Sequence, residues 1–196
     1  MAFFDAVYQR GVPPWDIGHP QREFVHLEET GEVEGRVLDV GCGTGENALY
    51  FERRGHPTWG VDFSPTAIAR ARAKAAERGL AVTFQVASAL ELSALHETFD
   101  TVTDCGLFHT FSDEERIRYS ASVASVLRPG GRCYILCFSE HEPPWGGPRR
   151  VTQAEIRATF RAGWRVRWIH DGHFEARDNE FTGRAWLAAL SRLRTT

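Results

Sequence analysis

Short apolar runs alternate with amphipathic stretches along most of the chain. Residues 35–40 form an apolar run that ends in glycines, which predicts a buried strand. Residues 46–54 carry helical spacing and stop at Gly55, and residues 57–61 predict a second strand. Ser64-Pro65 opens an alanine-rich helix that reaches Gly79, because a serine hydroxyl caps free amides and proline suits the first helical turn. Residues 82–87 and 99–104 predict a third and a fourth strand. Ser112-Asp113-Glu114-Glu115 has the reciprocal capping pattern, opening a helix that ends at Leu127 before Arg128-Pro129-Gly130-Gly131. A fifth, nearly all-apolar strand is predicted over 133–138, a second capping box at Thr152-Gln153-Ala154-Glu155, and another strand over 164–170. Residues 185–193 fit strand and helix equally well.

Strands alternating with helices imply an α/β chain with a parallel sheet covered on both faces. The loop 140–150, rich in proline and glycine, follows the fifth strand and is expected over the carboxyl edge, where such sheets bind ligands. The 196 residues suit one domain, with 42% hydrophobic and 25% charged residues as in globular chains. A net charge of −3 gives no footing for nucleic acid, and Arg149-Arg150 reads as a solvated loop. No run approaches the length of a membrane span, and the N-terminus lacks a basic region followed by an apolar stretch. The four cysteines (Cys42, Cys105, Cys133, Cys137) show no zinc-like spacing, and Cys133 and Cys137 read as buried thiols. No metal, membrane or nucleic-acid partner is therefore expected, and the expected compartment is the reducing cytoplasm. Monomer and homodimer both remain open.

The sharpest feature is Asp39-Val40-Gly41-Cys42-Gly43-Thr44-Gly45-Glu46, a buried strand running through three alternating glycines into a helix. Such a loop turns tightly and lets a ligand approach the backbone. A dinucleotide site would place a third glycine where Glu46 stands. Asp39 and Glu46 would also repel a pyrophosphate, by roughly 4 kcal/mol at contact. S-adenosylmethionine (SAM) carries an ammonium and a sulfonium, which carboxylates attract. Asp62 closes the second strand about 20 residues after the first glycine, where an acid accepts ribose hydroxyls. Phe63 is a candidate for adenine packing, or else a hydrophobic staple to the next helix.

Val37-Leu38-Asp39-Val40-Gly41-Cys42-Gly43-Thr44-Gly45, then Gly60-Val61-Asp62-Phe63-Ser64, then Leu127-Arg128-Pro129-Gly130-Gly131 resemble, in order, three motifs of class I SAM-dependent methyltransferases. The resemblance spans about residues 36–140, taken as the cofactor-binding core, with residues 1–30 as a cap. It implies a Rossmann-like doubly wound sheet of seven strands with an antiparallel last hairpin. It also implies that Gly41, Cys42, Gly43 and Gly45 hold the methionine part and Asp62 the ribose. Pro13-Pro14-Trp15-Asp16-Ile17-Gly18-His19-Pro20-Gln21 resembles a segment of a subgroup that includes thiol, thiopurine and halide methyltransferases and bacterial methyltransferases of heterocyclic toxins. Gly106-Leu107-Phe108-His109-Thr110-Phe111 and Gly147-Pro148-Arg149 resemble its toxin-modifying members. By that resemblance Trp15 and Asp16 cover the cofactor and shape the acceptor pocket. Where family members often carry Asp-Ala after the third strand, this chain has Ser88-Ala89, so an adenine contact there lacks charge assistance.

On the acceptor side, His109 follows the fourth strand and is the leading base or orienting candidate. Asp104 is a candidate for orienting the acceptor or the methionine ammonium, with a structural turn as the rival role. His19 and His141 are weaker candidates, and nothing around His170, Asp171 and His173 points to metal ligation. Cys105 reads as a core thiol. Phe3, Phe4, Tyr8, Trp15 and Trp145 suit either an apolar pocket for a flat acceptor or a staple for the N-terminal arm. The expected activity is methyl transfer from SAM, yielding S-adenosylhomocysteine, to O, N or S of a small aromatic or heterocyclic molecule. A thiol or halide acceptor, and a SAM-binding module without catalysis, are the rivals.

Overall fold

Seven strands share one mixed sheet: β1 (Val37–Val40), β2 (Thr58–Asp62), β3 (Thr83–Val86), β4 (Phe99–Cys105), β5 (Leu127–Phe138), β6 (Trp164–Glu175) and β7 (Thr182–Arg192). Their order is β3-β2-β1-β4-β5-β7-β6 in this computed structural model, which describes residues 2–144, 146–177 and 182–194. The pairs among β1 to β5 are parallel, and β7 lies antiparallel between β5 and β6. Among the described residues six α-helices accompany them: α1 (Ala2–Arg10), α2 (Arg22–Glu29), α3 (Glu46–Arg53), α4 (Pro65–Arg78), α5 (Asp113–Val126) and α6 (Gln153–Thr159). Short 3-10 helices occupy Ala89–Leu95 and Phe108–Thr110. No described helix is long and apolar enough to cross a membrane.

The central strands are buried on both sides, and alternate residues feed opposite faces. Cys133, Ile135 and Cys137 pack with Phe108, Tyr119 and Val123 under α5. Tyr134 and Leu136 pack on the other face with Phe24, Leu27 and Phe51 from α2 and α3. Helix starts follow the caps in the sequence. The Ser64 hydroxyl accepts from Ala67 N–H at 3.1 Å. Ser112 with Glu115 and Thr152 with Glu155 form complete capping boxes. Cys133 and Cys137 are buried free thiols, as expected.

Several elements differ from the sequence expectation. β5 begins at Leu127 rather than residue 133, carrying Pro129 and Gly130 through an irregular stretch beside β4. β6 continues past His170 to Glu175, and residues 182–192 are strand, because the hairpin pairs β6 and β7 along nearly their whole length. Helices α1 and α2 were not expected: the arm that holds them is short and broken by Pro13-Pro14 and Gly18.

Chain order reverses between β1 and β4, which leads outward to β3 on one side and to β5 on the other. The carboxyl ends of both strands open there into a crevice, the place where doubly wound sheets bind ligands. β6 runs in the same sense as β5, so its last residues, Phe174 and Glu175, arrive at that edge too.

Candidate active site and cofactor cleft

A cavity of about 850 Å³ opens at this edge. That is room for a nucleoside-sized ligand together with a small second molecule. The loop between β1 and α3 forms its floor. Gly41, Gly43 and Gly45 all have left-handed backbone, with φ of +70°, +53° and +90°. A side chain at Gly41 would stand 3.0 Å from Leu107 Cβ, and one at Gly43 would stand 2.7 Å from the Tyr8 hydroxyl oxygen.

The Asp62 carboxylate fixes this loop. It accepts from Gly43 N–H at 2.9 Å and from Ser64 N–H at 2.8 Å. Burial raises its pKa, offset in part by backbone N–H groups of Ser64, Gly43 and Phe63. Phe63, Cys42 and Ala89 line the cavity with it.

The arm formed by residues 2–21 covers the loop. Asp5 accepts from the Ser64 hydroxyl at 2.6 Å, and Arg70 donates to the Tyr8 carbonyl at 2.6 Å. Thr44 Oγ1 donates to Asp16 at 2.8 Å. Trp15 Nε1 donates to the Tyr8 hydroxyl at 3.0 Å, and the Phe4 and Trp15 rings meet edge to face. The side chain of Phe3 and the whole of Trp145 lie outside the described residues. Gln21 closes the far end of the arm: its amide group exchanges hydrogen bonds with the backbone of Glu175 at 2.9 and 3.0 Å.

Several expectations need correction. Glu46 lines the cavity but does not present a bare charge, because Lys74 and Arg78 both pair with it at 2.8 Å. Burial raises its carboxyl, and those two partners more than reverse the effect. Asp104 is turned into the interior. One oxygen accepts from Leu107 and Phe108 N–H at 2.9 and 3.2 Å, the other from the Tyr119 hydroxyl at 2.7 Å. Its rival role, holding the turn after β4, is the one its bonds describe. Ser88 is absent from the cavity wall, and its hydroxyl oxygen caps the following 3-10 helix through Leu90 N–H at 3.2 Å. Arg149 is exposed and Arg150 half-buried, so solvent reaches their loop, but both side chains are tied to the protein. Arg149 lines the cavity and pairs with Asp113 at 2.7 Å and with Glu155. Arg150 lies 5.6 Å over the Phe138 ring.

Asp39 is buried on β1 behind the loop, not in the cavity wall. One oxygen accepts from Thr103 at 2.8 Å, and the other has no hydrogen-bond partner among the described residues. Burial raises its pKa to about 7.

His109 lines the cavity, 5% exposed, stacked at 4.8 Å on Phe138 with Phe174 against its edge at 5.8 Å. Its Nδ1 lies 3.0 Å from Phe138 N–H. A backbone N–H only donates, so Nδ1 holds the lone pair and the neutral ring carries its proton on Nε2. Burial, then the charges of Arg116 and Arg150, pull the ring's pKa down to about 3. This argues against the base role expected from the sequence. His19 lines the mouth, its Nδ1–H donating to the Pro20 carbonyl at 3.0 Å; His141 packs on Trp186, away from the cavity wall. Among the described residues no group of three His, Cys, Asp or Glu side chains is placed to hold a metal.

Phe138, Phe174 and Gln21 shape the site although no role for them is legible in the sequence, and Tyr8, read as a pocket or staple aromatic, meets the glycine floor through its hydroxyl. Phe174 lay beyond the expected end of its strand. Gln21 stood in a recognised segment with no residue to pair it with.

The residues present fit SAM. Asp62 offers a carboxylate beside a glycine floor, and Lys74 and Arg78, the cations beside that floor, are spent on Glu46 rather than offered to a phosphate. Comparison with known proteins agrees. A family described as methyltransferase domain matches residues 37–131. The 2-heptyl-1-hydroxyquinolin-4(1H)-one methyltransferase of Mycobacteroides abscessus is 40% identical over 172 residues, covering 86% of this chain and 76% of that protein. A solved structure from work on the conversion of a disulfide bond into a thioacetal group during echinomycin biosynthesis superposes with a TM-score of 0.91 at 38% identity, over 100% of this chain and 94% of the other. Magnesium protoporphyrin IX methyltransferase from Synechocystis PCC 6803, with SAM bound, shares the fold at a TM-score of 0.67 and 22% identity, over 87% and 76% of the two chains.

Proposed function

The chain belongs to the SAM-dependent small-molecule methyltransferases, and within that family we propose that its acceptor is a flat aromatic or heterocyclic molecule methylated on O, N or S. One observation carries this reading: beside the glycine floor, the same cavity is walled by Phe111, Phe138 and Phe174 around His109. Such a wall rewards a planar apolar ligand with stacking and area burial and offers it few polar anchors. The name of the quinolone-methylating relative accords with it.

SAM, when bound, supplies an electrophilic methyl group on a sulfonium. Asp62 would accept the ribose hydroxyls, and carbonyls of the loop 41–45 would take the methionine ammonium, since the amides of Gly41, Cys42, Gly43 and Gly45 are already bonded within the protein. Phe63 and Ala89 flank the adenine. Tyr8, Trp15 and Asp16 close the arm over the loop and exclude water, which strengthens each electrostatic contact within. The aromatic wall would hold the acceptor beside the methyl donor, and alignment of reacting groups supplies a large part of the barrier reduction in favourable cases (roughly 7–11 kcal/mol). The four free cysteines suit a reducing cytoplasm.

The test is methyl transfer from labelled SAM to a panel of phenols, hydroxyquinolines, thiols, amines and iodide. Turnover of hydroxylated heterocycles is expected. Turnover of thiols or iodide alone would replace this reading with the thiol or halide one.

A further inference from the structure

The polar groups around His109 restrict the chemistry of the nucleophile. Its Nδ1 lone pair is occupied by Phe138 N–H, and the stack on Phe138 holds the ring plane, leaving Nε2–H as its remaining polar group. A Cβ built on Gly106 would stand 3.7 Å from that Nε2 and 3.6 Å from Phe174 Cε1, so the Nε2 edge of the ring adjoins Gly106 and Phe174, which both line the cavity.

The charged groups facing this end come from three elements. From α5, Arg116 packs 4.7 Å from the Phe108 ring centre, with one buried nitrogen lacking a hydrogen-bond partner among the described residues. From the loop after β5 come Arg149 and Arg150. From α6, Glu155 is shared by Arg116 and Arg149, and Asp113 at the start of α5 pairs with Arg149. The loop after β5 carries two more carboxylates: Glu140 accepts from Trp186 Nε1 and Glu142 from Arg184 N–H. The remaining titratable neighbours do not supply a base. The Cys105 and Cys137 thiols are pushed up by burial and stay protonated. Asp104 is spent on Tyr119 and two backbone amides. Glu175, at the end of β6, holds Arg22 N–H at 2.9 Å.

We propose that His109 is a fixed Nε2–H donor to an electron-rich atom of the acceptor, and that the acceptor reacts as its own anion: a phenolate-like or N-oxide oxygen, or a heteroaryl thiolate. The inference rests on the aromatic-acceptor reading above. The step then needs no proton acceptor. The anion's electron pair forms the bond to the methyl carbon, the carbon–sulfonium bond leaves its pair on sulfur, and the negative and positive charges cancel. A protonated amine is disfavoured by the donor that faces it.

The experiment uses 4-nitrophenol, whose ionisation is read from its absorbance, titrated with pH on the full chain in the presence of S-adenosylhomocysteine. The bound phenol is expected to ionise about one pH unit or more below the free one. Ionisation at the same or a higher pH overturns the proposal. In parallel, transfer to the same phenol is followed in two variants. His109→Phe removes the donor and is expected to lose about thirtyfold in kcat/KM, the size of a hydrogen bond to a charged group. His109→Gln places an amide N–H near the Nε2 position but cannot take up a proton, so it is expected to recover about tenfold of that loss. A glutamine variant as slow as the phenylalanine one, with melting temperature unchanged, makes His109 the base and overturns the proposal. Should nitrophenol and hydroxyquinolines fail to bind at all while SAM binds, the aromatic-acceptor reading itself falls, and this inference with it.

Discussion

The Tyr8 hydroxyl occupies the space that any side chain at residue 43 would enter, 2.7 Å from the position of a Cβ there. Helix α1 and the glycine floor are therefore fitted to each other, and the arm is part of the cofactor cleft. Gly43→Ala is expected to destabilise the protein by about 2 kcal/mol, from left-handed backbone and from the contact. It should also weaken SAM binding and raise hydrogen exchange in residues 2–16. Adding Tyr8→Phe should recover part of the loss, because the two changes share one contact. Full additivity of the two variants in a thermal melt would show that the contact is not the cause.

Asp62 carries the argument for SAM over a phosphorylated cofactor, since Glu46 is neutralised by Lys74 and Arg78. Asp62→Ala removes the proposed ribose acceptor and the anchor for Gly43 N–H. Calorimetry should show SAM affinity reduced about thirtyfold, near 2 kcal/mol. An unchanged affinity would remove Asp62 from the site.

Asp39 makes stability depend on pH in a direction unusual for a carboxylate. Folded, it titrates at about 7; unfolded, near its ordinary value of about 4. Between those values the folded chain holds a proton that the unfolded chain has lost, so stability falls as pH rises from about 4 to about 7. Asp104, raised to about 6 by burial, acts in the same sense over the lower part of that window. The Asp39 contribution between pH 5 and 8 is about 2 kcal/mol. Urea midpoints at those two pH values should converge in Asp39→Asn relative to the parent. An unaltered difference would mean that the unpartnered oxygen does not set the dependence.

Tyr119 donates to the buried Asp104 oxygen at 2.7 Å. Tyr119→Phe strands that oxygen, at a cost of about 1–3 kcal/mol and a melting-temperature loss on the order of 5 °C. SAM affinity should stay within about twofold. A tenfold loss of affinity without a melting shift would return Asp104 to the cofactor site.

How far these features can be read from the sequence depends on how local their causes are. The strand before the glycine loop, the Ser64 cap and both capping boxes are written in neighbouring residues and occur where expected. The same holds for Asp62 at the end of β2. What escaped depends on distant partners. The lone pair of His109 is settled by an amide 29 residues away, and Gln21 is settled by Glu175, 154 residues away. Glu46 reads as a bare charge until α4 brings Lys74 and Arg78 to it. β6 and β7 extend because each is the other's template, and periodicity within either strand does not report that.

The closeness of Gly41 to Leu107 bears on how the acceptor range of such an enzyme can be altered. The loop that bears His109 and the floor beneath the methionine part back onto one another, with no layer between them. A change at Leu107 made to admit a bulkier acceptor would therefore press on the floor and be felt as a loss of SAM. Phe111, Phe138, Phe174 and the N-terminal arm face the same space from other elements. Substitutions there can reshape the pocket while leaving the methyl donor's seat alone, so a library aimed at new acceptors should hold Leu107 constant and vary those walls.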